Sequence, residues 1–208
     1  MPTKNIETVL LIVAHPDDET LWAGGAILLH PEWKCFVIST CRGGDAERAH
    51  RFRKALEILK ADGAMADLDD GPDQIPLSPQ ELESTILDLL PSTPFDLLIT
   101  HHPKGEYTHH LRHEEVSKAV VDLWNEGKIA ARNLWTFAYQ DADGAYFPEA
   151  MKDAGILILL PLEIWNQKYQ IITQTYGFAA VSWEAKACPK TEAFNQIHKA
   201  KPFEITTF

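Results

Sequence analysis

Continuous apolar runs alternate along this chain with segments of helical periodicity. Residues 8–14 (TVLLIVA) form an unbroken, β-branched run, the pattern of a central parallel strand covered on both faces. Residues 20–29 are apolar enough for a helix packed on that strand, although Gly24 and Gly25 weaken the signal. Residues 33–40 (WKCFVIST) predict a second strand, and residues 45–60 a helix with Asp45 as N-cap. The Asp-, Gly- and Pro-rich stretch 66–78 reads as a loop. A helix follows over 79–90, where Ser78 can cap and Pro79 suits the first turn. Residues 95–100 (FDLLIT) are the next buried strand, 114–125 a helix, 133–140 a strand, 155–160 a short apolar run and 162–176 a helix. From residue 178 onward the pattern reads as irregular.

Strands alternating with helices imply βαβ units with right-handed crossovers, hence an α/β, Rossmann-like fold with a mostly parallel sheet and helices on both faces. In such sheets, sites collect at the carboxyl ends of the strands. The two densest polar clusters, residues 15–19 and 101–113, each directly follow a predicted strand.

Length and charge narrow the class. With 208 residues the chain can bury one good core, so a single domain over 1–208 is expected. A net charge of −11 with no basic stretch argues against nucleic acid as partner. The only early apolar run, residues 9–14, is too short for export or for crossing a bilayer, so a cytoplasmic protein without membrane partners is expected. Three cysteines, Cys35, Cys41 and Cys188, are an odd number without CxxC spacing, and no disulfide is expected.

The chemistry lies in the two clusters. The first is His15-Pro16-Asp17-Asp18-Glu19; the second, HHPKGEYTHHLRH, holds five of the nine histidines. Catalytic zinc takes three ligands from imidazoles and carboxylates and keeps one open position. His15 and Asp18, three apart in a turn opened by Pro16, can reach one ion, and the His-rich loop can supply the third ligand. Such a set suits zinc better than magnesium, which prefers oxygen; manganese, iron or cobalt would also be accepted. Adjacent side chains diverge, so with Asp18 on the metal Asp17 is free to face the attacking water as general base.

These residues carry a family resemblance. AHPDDE at 14–19 with GEYTHHLRHEEV at 105–116 resembles the PIG-L/LmbE-like deacetylases, zinc hydrolases of N-acetylglucosamine-containing substrates and related amides on a Rossmann-like fold. The resemblance implies one zinc per chain held by His15 and Asp18, with Asp17 as the base. It also implies a later HxxH pair giving a catalytic histidine and then the third ligand. The commonest family spacing after Tyr107 would select His109 and Arg112, but an arginine has no lone pair to offer a cation. The loop therefore reads as one residue longer, with His110 catalytic and His113 the ligand. His101, His102 and His109 receive no role.

Three further positions follow from the resemblance as substrate contacts. Tyr107 either donates its hydroxyl to the substrate carbonyl or packs the loop. Arg42, in the Cys41-Arg42-Gly43-Gly44 turn, either holds an anionic part of the substrate or faces solvent. Asp70, in Asp69-Asp70-Gly71, either contacts sugar hydroxyls or is a plain acidic turn. Trp22 is the aromatic best placed to stack on a sugar ring, with buried core as the alternative. Departures from the family are Arg48, Arg51 and Arg53, where a glutamate is common, and a missing C-terminal histidine motif. The implied activity is removal of an N-acetyl group from an amino sugar or related small molecule. An amidase acting on a thiol conjugate or another acylated amine is the alternative with the same metal set. A receiver-like domain fits poorly, because histidines rather than a lone aspartate follow the third predicted strand, and nothing in the sequence supports a non-catalytic binding module. The resemblance allows a homo-oligomer without fixing its order.

Overall fold

A computed structural model describes residues 6–107 and 110–198. Its sheet has seven strands in the order β3-β2-β1-β4-β5-β9-β8. The strands are β1 (Thr8–Val13), β2 (Lys34–Cys41), β3 (Asp62–Leu68), β4 (Phe95–Thr100), β5 (Ala131–Phe137), β8 (Ile156–Leu159) and β9 (Thr191–Ile197). The first five pair in parallel, whereas β9 runs antiparallel to both β5 and β8. A short antiparallel pair, β6 (Tyr139–Gln140) and β7 (Glu149–Ala150), lies apart from the sheet.

The continuous apolar run of β1 is explained by its two-sided burial. Val9, Leu11 and Val13 face one core with Trp22, Ala26, Phe52 and Leu56. That core belongs to helices α1 (Asp18–Leu29) and α2 (Ala46–Leu59). Leu10, Ile12 and Ala14 face the other core, with Ile86, Val116 and Val120. These come from α3 (Pro79–Leu89) and α4 (Leu111–Asn125). The expected α/β architecture, with helices on both faces, is thus the observed one. Asp45 caps α2 by accepting from the N–H groups of Glu47 and Arg48, and Ser78 caps α3, both as the sequence predicts.

Two expectations require correction. The 66–78 loop is shortened because β3 runs to Leu68, paired in parallel with β2. This edge strand holds no fully buried residue, so no apolar pattern announces it. The described residues after 178 are not all irregular: they include α6 (Trp183–Ala187) and β9, which inserts between β5 and β8. The helix predicted over 162–176 is α5 (Leu162–Gln170) continued by a π-helical turn, Ile171–Thr175.

Gly25 in α1 has a packing reason. A Cβ on Gly25 would lie 2.4 Å from Leu160 Cδ1 and 2.9 Å from Glu192 Oε1. Glu192, fully buried on β9, accepts from the N–H groups of Gly25 (2.7 Å) and Ala26 (2.6 Å) and from Lys168 Nζ (2.7 Å). Removing one partner of a buried pair strands the other charge. Glu192→Ala is expected to destabilise the fold by about 3–5 kcal/mol, read as a lower urea midpoint at an unchanged slope.

Candidate active site

The carboxyl ends of β1, β2, β3 and β4 meet around one cleft of about 160 Å³. At the end of β1 the chain turns sharply through His15, Pro16 and Asp17 into α1. Asp17 adopts φ 136°, a region that costs a non-glycine residue of order 1–3 kcal/mol and persists only where the surroundings enforce it. Here the enforcing group is Glu19, fully buried, whose Oε2 accepts the Asp17 N–H at 3.0 Å. Glu19 is fixed in turn by the hydroxyl of Tyr176 at 2.7 Å.

This turn brings His15 and Asp18 together, and α4 delivers the third predicted ligand. His15 Nδ1 lies 3.2 Å from Asp18 Oδ2 and 3.2 Å from His113 Nε2. His113 Nε2 lies 3.4 Å from Asp18 Oδ2. A tetrahedral ion with bonds of about 2.0–2.1 Å has ligand atoms about 3.3–3.4 Å apart, so the triangle has the size zinc requires. His15 Nε2 lies 3.3 Å from Asp70 Oδ1, so it is Nδ1 that faces Asp18 and His113. Trp22 donates its indole N–H to the other Asp18 oxygen at 3.2 Å.

The electrostatics call for a cation at the same point. Burial opposes protonation of His15, yet Asp18 and Asp70 raise its pKa to about 9. Burial likewise works against charge on His113, but Asp18 and Glu106 raise it to about 10. Burial also disfavours the Asp18 carboxylate, and His113, His15 and His101 nonetheless hold it well below the usual range. Protons or a metal ion can supply this positive charge, and the donor set of two imidazoles and one carboxylate fits zinc.

The other predicted residues surround this centre. Burial and the adjacent Asp18 carboxylate push the Asp17 pKa up, against His15 and Arg48, so Asp17 is a stronger proton acceptor than an exposed aspartate. His110 sits at the N-cap of α4, its ring stacked on His113 with centroids 4.2 Å apart. Its Nδ1 is buried and has no hydrogen-bond partner among the described residues. Burial, then the charges of His113 and His15, bring its pKa down to about 3. Tyr107, partly buried, packs against the rings of His110, His113, Trp22 and Trp183. Arg42, at φ 66°, crosses to Asp70 with Nη2–Oδ2 2.8 Å.

Several participants were not read from the sequence. Arg48, noted there only as a departure, reaches Asp17 Oδ2 at 3.3 Å. Trp183 and Glu184 of α6 line the cleft mouth. Trp22 is fully buried beneath Asp18, so its core alternative holds and it offers no stacking face. Arg112 points away from the cluster. Fully buried, it donates to the carbonyls of Asp69 (2.6 Å) and Ile75 (2.7 Å) and so pins the loop that carries Asp70. His109, the other residue of that register, lies outside the described residues.

Comparison with known proteins decides the lineage. The GlcNAc-PI de-N-acetylase family, PIG-L, matches residues 10–124, more than half of the chain. The chain belongs to this family. An uncharacterized protein of Acanthamoeba polyphaga mimivirus is 26% identical over 144 residues, covering 62% of this chain and 61% of that protein. The match thus spans less than two thirds of that relative. Among solved structures, the N,N'-diacetylchitobiose deacetylase of Pyrococcus horikoshii superposes with a TM-score of 0.73 at 15% identity, over 98% of this chain and 90% of that one. The A40926 pseudoaglycone deacetylase Dbv21 gives 0.60 at 17% identity, over 94% and 99%. The 4-carboxy-2-hydroxymuconate hydratase of Pseudomonas putida gives 0.62 at 18%, over 94% and 98%. The PIG-L fold therefore hosts hydration as well as deacetylation, and the chemistry has to be argued from the site.

Proposed function

We propose that this PIG-L family member is a zinc-dependent hydrolase that removes an N-acetyl group from an amino sugar or related small molecule. The observation that carries the reading is the triangle of His15 Nδ1, Asp18 Oδ2 and His113 Nε2, with edges of 3.2, 3.2 and 3.4 Å. Zinc held there would polarise the acetyl carbonyl and lower the pKa of an attacking water from 15.7 to about 7. The residues around it do the rest. Asp17, at the cleft surface with a raised pKa, takes the proton from that water. His110 lines the same cleft, with Nδ1 buried and without a hydrogen-bond partner among the described residues, and is assigned to the leaving amine. Its low pKa keeps it neutral at rest, so the proton that Asp17 takes from the water is the one that reaches the leaving amine as the C–N bond breaks, passing through His110. Tyr107, Arg42 and Asp70 line the cleft and are assigned to substrate.

The test is acetate release from N-acetylglucosamine derivatives by the purified protein, before and after chelation. Acetate release abolished by chelator and restored by zinc is expected. Release that is indifferent to chelation contradicts the metal assignment. A zinc-loaded protein that yields no acetate from any acylated amine contradicts the deacetylase assignment.

A further inference from the structure

Four histidines crowd this cluster, and besides His15, Asp18 and His113 two overlapping trios of donor atoms among the described residues could hold an ion. One is His15, His110 and His113; the other is Asp18, His101 and His113. His101 is completely buried, and its Nε2 lies 3.5 Å from Asp18 Oδ2, close enough to compete as a ligand. Hydrogen bonds resolve the competition. The backbone N–H of Ala14 donates to His101 Nε2 at 2.9 Å. An amide can only donate, so that nitrogen is an acceptor, and in the neutral ring the proton sits on Nδ1. His101 Nδ1 then donates to Glu106 Oε2 at 2.9 Å.

The same Glu106 oxygen takes the Nδ1–H of His113 at 2.5 Å, while Oε1 accepts the His102 N–H at 2.7 Å. Glu106 is fully buried, and His101 Nδ1, His113 Nδ1 and the His102 N–H all serve it as donors. A carboxylate on Nδ1 turns the Nε2 lone pair of His113 inward and raises its basicity as a ligand. The lone pair of His101 is already spent on the backbone at the end of β1.

We propose that Glu106 is the positioning residue that selects the ligand set: it makes His113 an Nε2 ligand and holds His101 as a structural residue outside the metal shell. The proposal rests on the metal reading above. It also gives His101, which the sequence left without a role, a reason to be buried here. Glu106 is fully buried, is not among the residues lining the cleft, and meets the proposed metal shell through the His113 imidazole.

Glu106→Gln tests this directly. Glutamine keeps the shape but offers one oxygen and one NH2. Either the NH2 opposes the His102 N–H, or it faces the two Nδ1 atoms and forces His113 to carry its proton on Nε2. Zinc affinity, measured by competition with a chromophoric chelator, is expected to fall by about 10–100-fold. The cobalt-substituted variant should show a shifted visible absorption spectrum at saturating metal, which a loss of stability alone would not produce. His101→Gln is the companion variant and should still bind one zinc per chain. Unchanged affinity and an unchanged cobalt spectrum in Glu106→Gln would overturn the proposal, as would loss of stoichiometric zinc in His101→Gln. A wild-type protein that takes up no zinc would overturn the metal reading along with it, which separates the two failures.

Discussion

Asp17→Asn is expected to bind one zinc per chain like the wild type and to lose about 10²–10⁴-fold in kcat/KM, the usual worth of a positioned general base. Asparagine keeps the size of the side chain but cannot accept a proton at any accessible pH. The metal triangle does not use Asp17, whose Oδ2 instead meets Arg48 at 3.3 Å. The backbone at φ 136° is held by Glu19 through the Asp17 N–H, which the substitution leaves in place. Elemental analysis and acetate release on the same preparation separate the two roles. A variant with near wild-type turnover would remove Asp17 as the base; one that lost its zinc would place it among the ligands.

His113→Ala has a second large effect of a different kind. It removes one of the three proposed ligands and also one of the donors to the fully buried Glu106. The drop in zinc affinity should exceed the 10–100-fold typical of losing an outer hydrogen-bond partner. A thermal scan gives an independent readout. Zinc at 100 times its Kd stabilises a binding-competent fold by about 2.7 kcal/mol, so added zinc should raise the melting temperature of the wild type and leave that of the variant unmoved. Retained stoichiometric zinc would move the third ligand to a neighbouring histidine.

The legible parts of this protein were those where one physical rule dominates. Residues 9–13 are fully buried on both faces of the sheet, so β1 is a plain apolar run. Asp45 and Ser78 announce helix starts because an unpaired N–H needs a nearby oxygen. The pair His15 and Asp18 is close in sequence, and a turn must bring it together. The missed features lack such local marks. β9 shows no clean alternation, because Glu192, Ala193 and Phe194 are buried in succession, the first of them paired with Lys168 and two helix N–H groups. α6 is short, so Trp183 and Glu184 could not be assigned to the cleft mouth from sequence. Glu106 sat within the His-rich motif, yet its function depends on two rings brought to one oxygen by the fold. A buried acid five residues after one histidine and seven before another was the available signal.

Arg112 and His113 show how a one-residue difference separates two fates. Both are fully buried at the start of α4. Successive helical side chains point about 100° apart, so when His113 turns into the cluster Arg112 must turn toward the 69–75 loop. Lone-pair chemistry had already rejected the arginine as a ligand, and the helix supplies it with other work.

The most direct test is a crystal of the zinc-loaded protein measured on either side of the zinc absorption edge. One anomalous peak is expected within about 2.0–2.2 Å of His15 Nδ1, an Asp18 carboxylate oxygen and His113 Nε2, with His101 still bonded to the Ala14 N–H. A peak ligated by His101, or no peak in a protein that releases acetate, would contradict the zinc centre proposed here.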